Sequence, residues 1–139
     1  MILVIVLTTV IATSLMTVFS YMYSDLRQKQ FREPELLNEL LARVRWINPQ
    51  AGRNHWAGWC IHYLIGLMFI AIYYGSGIVN SFDAYLVAGT LSGIIGIVCW
   101  ITTFALHPSP PAIRYKEYYL QLLIAHIIFG IGAYLSDSL

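Results

Sequence analysis

Four long apolar stretches limit what this chain can fold into. Each stretch is about 20 residues or longer, the length that an α-helix needs to cross the hydrocarbon core of a bilayer. Of the 139 residues, 58% are hydrophobic and only 11% are charged, so a soluble domain of this size could not bury its apolar surface. We therefore predict an all-α, polytopic membrane protein with a single four-helix domain. The predicted spans are residues 2–23, 56–79, 82–106 and 115–135.

The positive charges fall in only two of the three connections between these spans. Six of the eight lysines and arginines lie between the first and second spans, and the other two lie between the third and fourth. Because such residues stay in cytoplasmic loops, the pattern predicts both long connections inside and both chain ends outside. We expect an integral protein of a bacterial inner membrane, in contact with the lipid bilayer. A net charge of +1 gives no case for nucleic acid as a partner.

The connection after the first span contains an amphipathic pattern. Proline favours the first turn of a helix, so Pro34 marks a start and Pro49 a stop. The pattern predicts a helix over residues 34–47 that lies on the cytoplasmic leaflet, although a docking surface or a lid over the bundle is an alternative. The apolar face would carry Leu36, Leu37, Leu40, Leu41, Val44 and Ile47. The polar residues on the remaining surface include Glu35, Asn38 and Glu39.

Small residues at helical spacing predict where the spans pack closely. Glycine allows two helix backbones to approach in lipid, where no hydrophobic force brings helices together. The third span should press against a neighbour in its outer half and stand further off in its inner half, which predicts a cavity open to the cytoplasm. Only Asn80 and Ser81 separate the second and third spans, so these two should form an antiparallel hairpin. The predicted packing glycines are Gly66, Gly89, Gly93, Gly96 and Gly130.

Two histidines fall well inside the predicted hydrocarbon region. His62 lies about 9 Å and His126 about 16 Å from the inner edge at helical rise. An ionisable group at this depth is a functional candidate, although a hydrogen-bonded structural imidazole is the plainer alternative for each. His55 and His107 lie at helix ends, where an interfacial, solvated position explains His55 and capping of the last carbonyls of the third span explains His107. The predicted ligand pocket consists of His62, His126, Trp59, Trp100, Thr103, His107, Tyr119 and Gln121.

The residue patterns favour binding over catalysis. No Ser/His/Asp, Cys/His or HExxH arrangement is present, so we predict no catalytic residue. The favoured function is a non-enzymatic subunit or ligand-binding bundle for a lipid, quinone or partner helix, alone or in a homo-oligomer or larger membrane complex. One alternative is a haem b electron-transfer protein, with His62 and His126 as the axial metal ligands. A small transporter or channel working as a homo-oligomer is another, and a quinone- or lipid-modifying enzyme is a third.

Overall fold

The described residues fold into five α-helices. The computed structural model describes residues 2–44, 52–77 and 80–138, and these residues form no strand. Four of the helices are long and apolar enough to cross a membrane, which confirms the prediction of an all-helical membrane protein. The helices are α1 (Ile2–Arg27), α2 (Glu33–Ala42), α3 (Trp56–Ser76), α4 (Phe82–Leu106) and α5 (Tyr115–Asp137).

The ends of the spanning helices follow local capping chemistry. α4 has the predicted bounds, because the Ser81 hydroxyl accepts a hydrogen bond from the backbone N–H of Ala84 at its start. α3 ends at Ser76, since Gly77 takes a left-handed conformation with φ of 63°. The last two residues of that predicted span, 78 and 79, lie outside the described residues.

The spanning helices form a bundle with one open side. α4 packs against α5, α5 against α1, and α1 against α3. α3 and α4 are consecutive, yet their described backbones do not approach each other along their length. A short turn thus joins two helices that have few close backbone contacts with each other, and the predicted antiparallel hairpin says nothing about that spacing. We call the gap between these two helices the α3/α4 seam.

Glycines bring the backbones of α4 and α5 together. A Cβ atom added at Gly130 would lie 2.4 Å from the carbonyl oxygen of Tyr85, and one added at Gly89 would lie 2.6 Å from that of His126. Both contacts are with backbone, which cannot move aside as a side chain can. The glycine stripe of α4 thus faces α5 and leaves α3 without a matching surface.

The short helix α2 is buried at the polar residues Glu35 and Asn38 as well as at the apolar residues Leu36 and Leu40. It ends at Ala42 instead of residue 47, and residues 45–47 lie outside the described part of the chain. The buried polar groups find protein partners. The Asn38 amide donates to the carbonyl oxygens of Arg53 and His55, and its oxygen accepts from the N–H of Gly58 at the start of α3. α2 therefore packs against the end of the bundle, here called the α2 end, and its position relative to a membrane stays a prediction.

Tyrosines join the helices at the opposite end of the bundle. The carboxylate of Asp137 accepts hydrogen bonds from the hydroxyls of Tyr74 and Tyr85, at 2.7 Å and 3.0 Å. A further bond of 2.8 Å joins the hydroxyls of Tyr73 and Ser92 across the seam. These bonds link α3, α4 and α5 where α3 and α4 have few other contacts.

Candidate functional site

A cavity of about 160 Å³ lies in the half of the α3/α4 seam nearest the α2 end. Side chains from all five helices line it, and most of them are apolar. Ile65, Met68 and Ile95 line the cavity and are also between 40% and 50% exposed on the outside of the bundle. The cavity therefore opens sideways between α3 and α4. Glu33 and Leu37 of α2 line the cavity at the α2 end. The predicted opening towards the cytoplasm stays a prediction.

His126 presents one free nitrogen to this cavity. Its Nδ1 lies 2.9 Å from the carbonyl oxygen of Leu122. Since a carbonyl only accepts, Nδ1 carries the proton and Nε2 keeps its lone pair. The ring contacts Phe69 edge-on, with 5.8 Å between ring centroids, and a Cβ added at Gly96 would lie 3.4 Å from Nε2. Gly96 thus leaves the room that the imidazole occupies.

His62 lines the same cavity from α3. Its Nε2 lies 2.9 Å from the hydroxyl oxygen of Thr17, and that hydroxyl donates its proton to the carbonyl of Thr13, 2.6 Å away. The Thr17 oxygen must then accept from His62 Nε2–H, which leaves Nδ1 as an acceptor. Neither Nδ1 of His62 nor Nε2 of His126 has a hydrogen-bond partner among the described residues. The two imidazoles therefore offer two unpaired acceptors.

A buried carboxyl group completes the polar lining. Glu33 begins α2 and is only 3% exposed. Its Oε1 accepts from the Ser20 hydroxyl at 2.9 Å and from the Gln121 amide at 3.2 Å, while Oε2 is buried without a partner in the described structure. Burial raises the pKa of Glu33 from 4.5 to about 7, because the charged form loses its hydration.

Sequence reasoning did not assign Glu33 to the site. Next to Pro34, an acidic residue resembles an ordinary first-turn residue of a surface helix. One available signal was the pair of polar residues Ser20 and Gln121 in apolar spans, since each needs a buried partner. A carboxyl group on the connecting helix is able to supply it.

The structure brings together only some of the predicted pocket residues. His62, His126 and Trp100 line the cavity, and Gln121 holds Glu33. The other four lie elsewhere. Trp59 packs against the rings of Tyr21 and Tyr63, and Tyr119 lies beside Tyr115 and Tyr118. Thr103 bonds to the carbonyl of Cys99, and His107 donates to that of Leu40, which ties α4 to α2.

A second cavity of about 500 Å³ continues the seam towards the opposite end. Phe69 and Ile95 line both cavities, so they mark where the two meet. Its other lining residues are mainly apolar, and Ile72, Val87 and Leu91 are each more than half exposed. The two cavities form one apolar groove along the outside of the bundle, with polar groups at the α2 end. We call it the seam groove.

The imidazole-lined cavity, at about 160 Å³, is smaller than the roughly 300–1,000 Å³ of pockets that enclose drug-sized ligands, and a haem is larger than most of these ligands. A haem held between His62 and His126 would therefore need more room than this cavity has. For a metal ion held by side chains alone, no group of three or more His, Cys, Asp or Glu is suitably arranged within the described residues. The chemistry available here is hydrogen bonding by two imidazoles and one carboxyl group at the end of an apolar channel.

Comparison with protein-family models, curated proteins and solved structures finds no match to this chain. Function is therefore argued from the seam groove. The two features that bear on it are the opening between α3 and α4 on the outside of the bundle and the unpaired polar atoms at the α2 end.

Proposed function

We propose that this protein is a non-enzymatic membrane protein that binds an amphiphile taken sideways from the bilayer into the seam groove. The observation that carries the proposal is the seam groove itself. It is apolar, it is exposed along the outside of the bundle between α3 and α4, and it ends at Glu33, His62 and His126. A hydrocarbon chain fits the apolar part, and a polar head group fits the α2 end. Lipids and quinones both belong to this class.

The polar end has to supply the selectivity of such a site. Moving a chain from water into a pocket is favourable by about 0.8 kcal/mol per CH₂ group, but a chain already in lipid gains almost nothing by entering an apolar groove. Hydrogen bonds differ, because a polar head group leaves the water of the interface when it enters the groove and needs new partners there. The unpaired atoms of Glu33, His62 and His126 offer such partners, and they select for head groups that match them.

The distribution of charge supports an α2 end that faces the cytoplasm. Arginines with carboxylate partners cluster there, including Arg27 with Glu117 and Arg53 with Glu39. Such residues stay on the cytoplasmic side of inner-membrane proteins. We accordingly place the protein in a bacterial inner membrane, with the groove open to the lipid.

The decisive experiment blocks the groove without changing its polar end. Ile95 lines both cavities and is 50% exposed, whereas Ile94 is 48% exposed and lines neither. Native mass spectrometry of protein purified in mild detergent should detect a bound amphiphile in wild type and Ile94→Trp, and little or none in Ile95→Trp. Equal occupancy in both variants would contradict the proposal.

Transport is the second candidate, because Glu33 supplies a buried carboxyl group that the spans themselves lack. A carboxyl group in such a position is a common part of ion and proton pathways. Proteoliposomes containing wild type or Glu33→Gln distinguish the two functions. Solute flux that depends on Glu33 would favour transport. A wild-type protein that moves no solute but still has bound ligand would favour binding.

A further inference from the structure

Three residues that line the cavity at the α2 end each have a polar atom without a partner in the described structure. The atoms are Oε2 of Glu33, Nδ1 of His62 and Nε2 of His126, and the three residues are only 3% to 6% exposed. An ionised carboxylate only accepts hydrogen bonds, and each neutral imidazole accepts through its unprotonated nitrogen. A ligand satisfies this end of the groove only if it brings donors.

The charge of the lining favours the same kind of ligand. The residues that line the cavity at the α2 end, here called the inner cavity, include Glu33 but no lysine or arginine. The nearby guanidinium groups are already paired outside it: Arg32 with Asp25 and Glu35, and Arg53 with Glu39. A phosphate or carboxylate head group would therefore meet an acidic wall without a cation.

We infer that the head group bound at Glu33, His62 and His126 is a primary ammonium group on an apolar chain. An ammonium group carries three N–H donors and one positive charge, which correspond to the three acceptors and the one carboxylate. Trp100 and Phe69 also line this cavity, and aromatic faces attract cations. This inference rests on the proposed ligand-binding function and narrows the class of ligand to amphiphilic amines.

The surroundings of Glu33 give the inference a pH dependence. The titratable groups around it are Tyr21 of α1, Tyr118 of α5 and the two cavity histidines, while neighbouring Arg32 is held by its own carboxylates. Because burial raises the pKa of Glu33 to about 7, the carboxylate forms as pH rises through neutrality. A primary amine with a pKa of about 10 stays protonated throughout. Amine affinity should therefore increase between pH 6 and pH 8.

The test compares ligands that share one chain and differ only in the head group. Dodecylamine, dodecanol and dodecanoate are added to delipidated protein, and competition is followed by native mass spectrometry. Wild type should bind dodecylamine at least 10-fold more tightly than the other two at pH 8, with less preference at pH 6. Glu33→Gln should lose the preference, and Glu39→Gln, whose carboxylate pairs with Arg53 outside the cavity, should keep it.

Three outcomes separate the inference from the proposed function. Equal binding of all three ligands, with sensitivity to Ile95→Trp, would overturn the ammonium head group and leave the ligand-binding function standing. Binding that is unchanged in Ile95→Trp would overturn both the ammonium head group and the ligand-binding function of the groove. If Glu33→Gln does not fold, the pH series on wild type decides, because a preference for dodecylamine that is the same at pH 6 and pH 8 contradicts a role for Glu33.

Discussion

The two faces of α4 are packed in opposite ways. Towards α5, Gly89 and Gly130 let the backbones touch, so that a single methyl group would not fit. Towards α3, large side chains such as Phe69, Tyr73 and Ile95 hold the helices apart and leave the seam groove. Because lipid surrounds apolar side chains as well as protein does, nothing drives the second face to close. The position of the small residues thus determines which face of α4 packs tightly and which face leaves a groove.

The sealed face should be the more sensitive to added volume. Gly130→Ala places a Cβ 2.4 Å from the Tyr85 carbonyl oxygen and should lower the free energy of unfolding by about 3 kcal/mol, at the upper end of ordinary overpacking. Gly75→Ala is the matched control, since nothing lies within 4 Å of its added Cβ. Reversible unfolding in mixed micelles measures both. Equal losses would mean that the α4/α5 contact is not the tight one.

Glu33, at the polar end of the seam groove, should make the free energy of unfolding depend on pH. The pKa of Glu33 is raised by burial from 4.5 to about 7, so the folded state binds the proton more tightly than the unfolded state does. Stability should therefore fall by about 3 kcal/mol as pH rises from 4.5 to 7, and this contribution should be level outside that window. The measurement is unfolding across this pH range. Glu33→Gln should remove this component of the slope, and an unchanged slope would show that the carboxyl group is not buried.

α3 receives little support from α4 and should depend on its packing against α1 and α2. Asn38→Ala removes one hydrogen bond to Gly58 in α3 and two to Arg53 and His55 just before it. The loss should cost about 2 kcal/mol, because these backbone groups lose their partner. Asn54→Ala, at an exposed position in the same region, should cost almost nothing. Thermal denaturation followed by circular dichroism compares them. Similar melting curves would contradict the role given to α2.

The smallest effect should come from single tyrosine hydroxyls. Tyr73→Phe breaks a 2.8 Å bond to Ser92 across the open seam, and Tyr63→Phe breaks a 2.9 Å bond to Ser14 between the packed helices α1 and α3. Each should lower stability by about 1 kcal/mol. Only Tyr73→Phe should also speed the exchange of bound amphiphile, measured by native mass spectrometry after dilution. Equal exchange rates would show that the Tyr73 bond does not restrain the seam.

The helices were predictable because apolar length and capping are local properties. The bounds of α4 follow from Ser81 at its start and from the prolines after His107. The arrangement around the seam was not predictable in this way. A short turn fixes which helices are consecutive, but the closeness of their packing depends on which partner the glycine stripe faces.

The site was predicted in part for a related reason. His62 and His126 stand out because imidazoles in apolar spans need an explanation. Glu33 was missed because an amphipathic pattern separates polar from apolar residues without saying whether the polar side meets water or protein. Here that side meets Ser20 and Gln121.

The central claim, that the seam groove holds an amphiphile, is tested most directly by the two natural cysteines. Both are exposed, but Cys99 lines the inner cavity and Cys60 does not. Alkylation of delipidated protein by a membrane-permeant maleimide is followed by mass spectrometry, with and without dodecylamine. The account predicts that ligand slows labelling of Cys99 at least 10-fold and leaves Cys60 unchanged. Labelling of both cysteines at unchanged rates would contradict it.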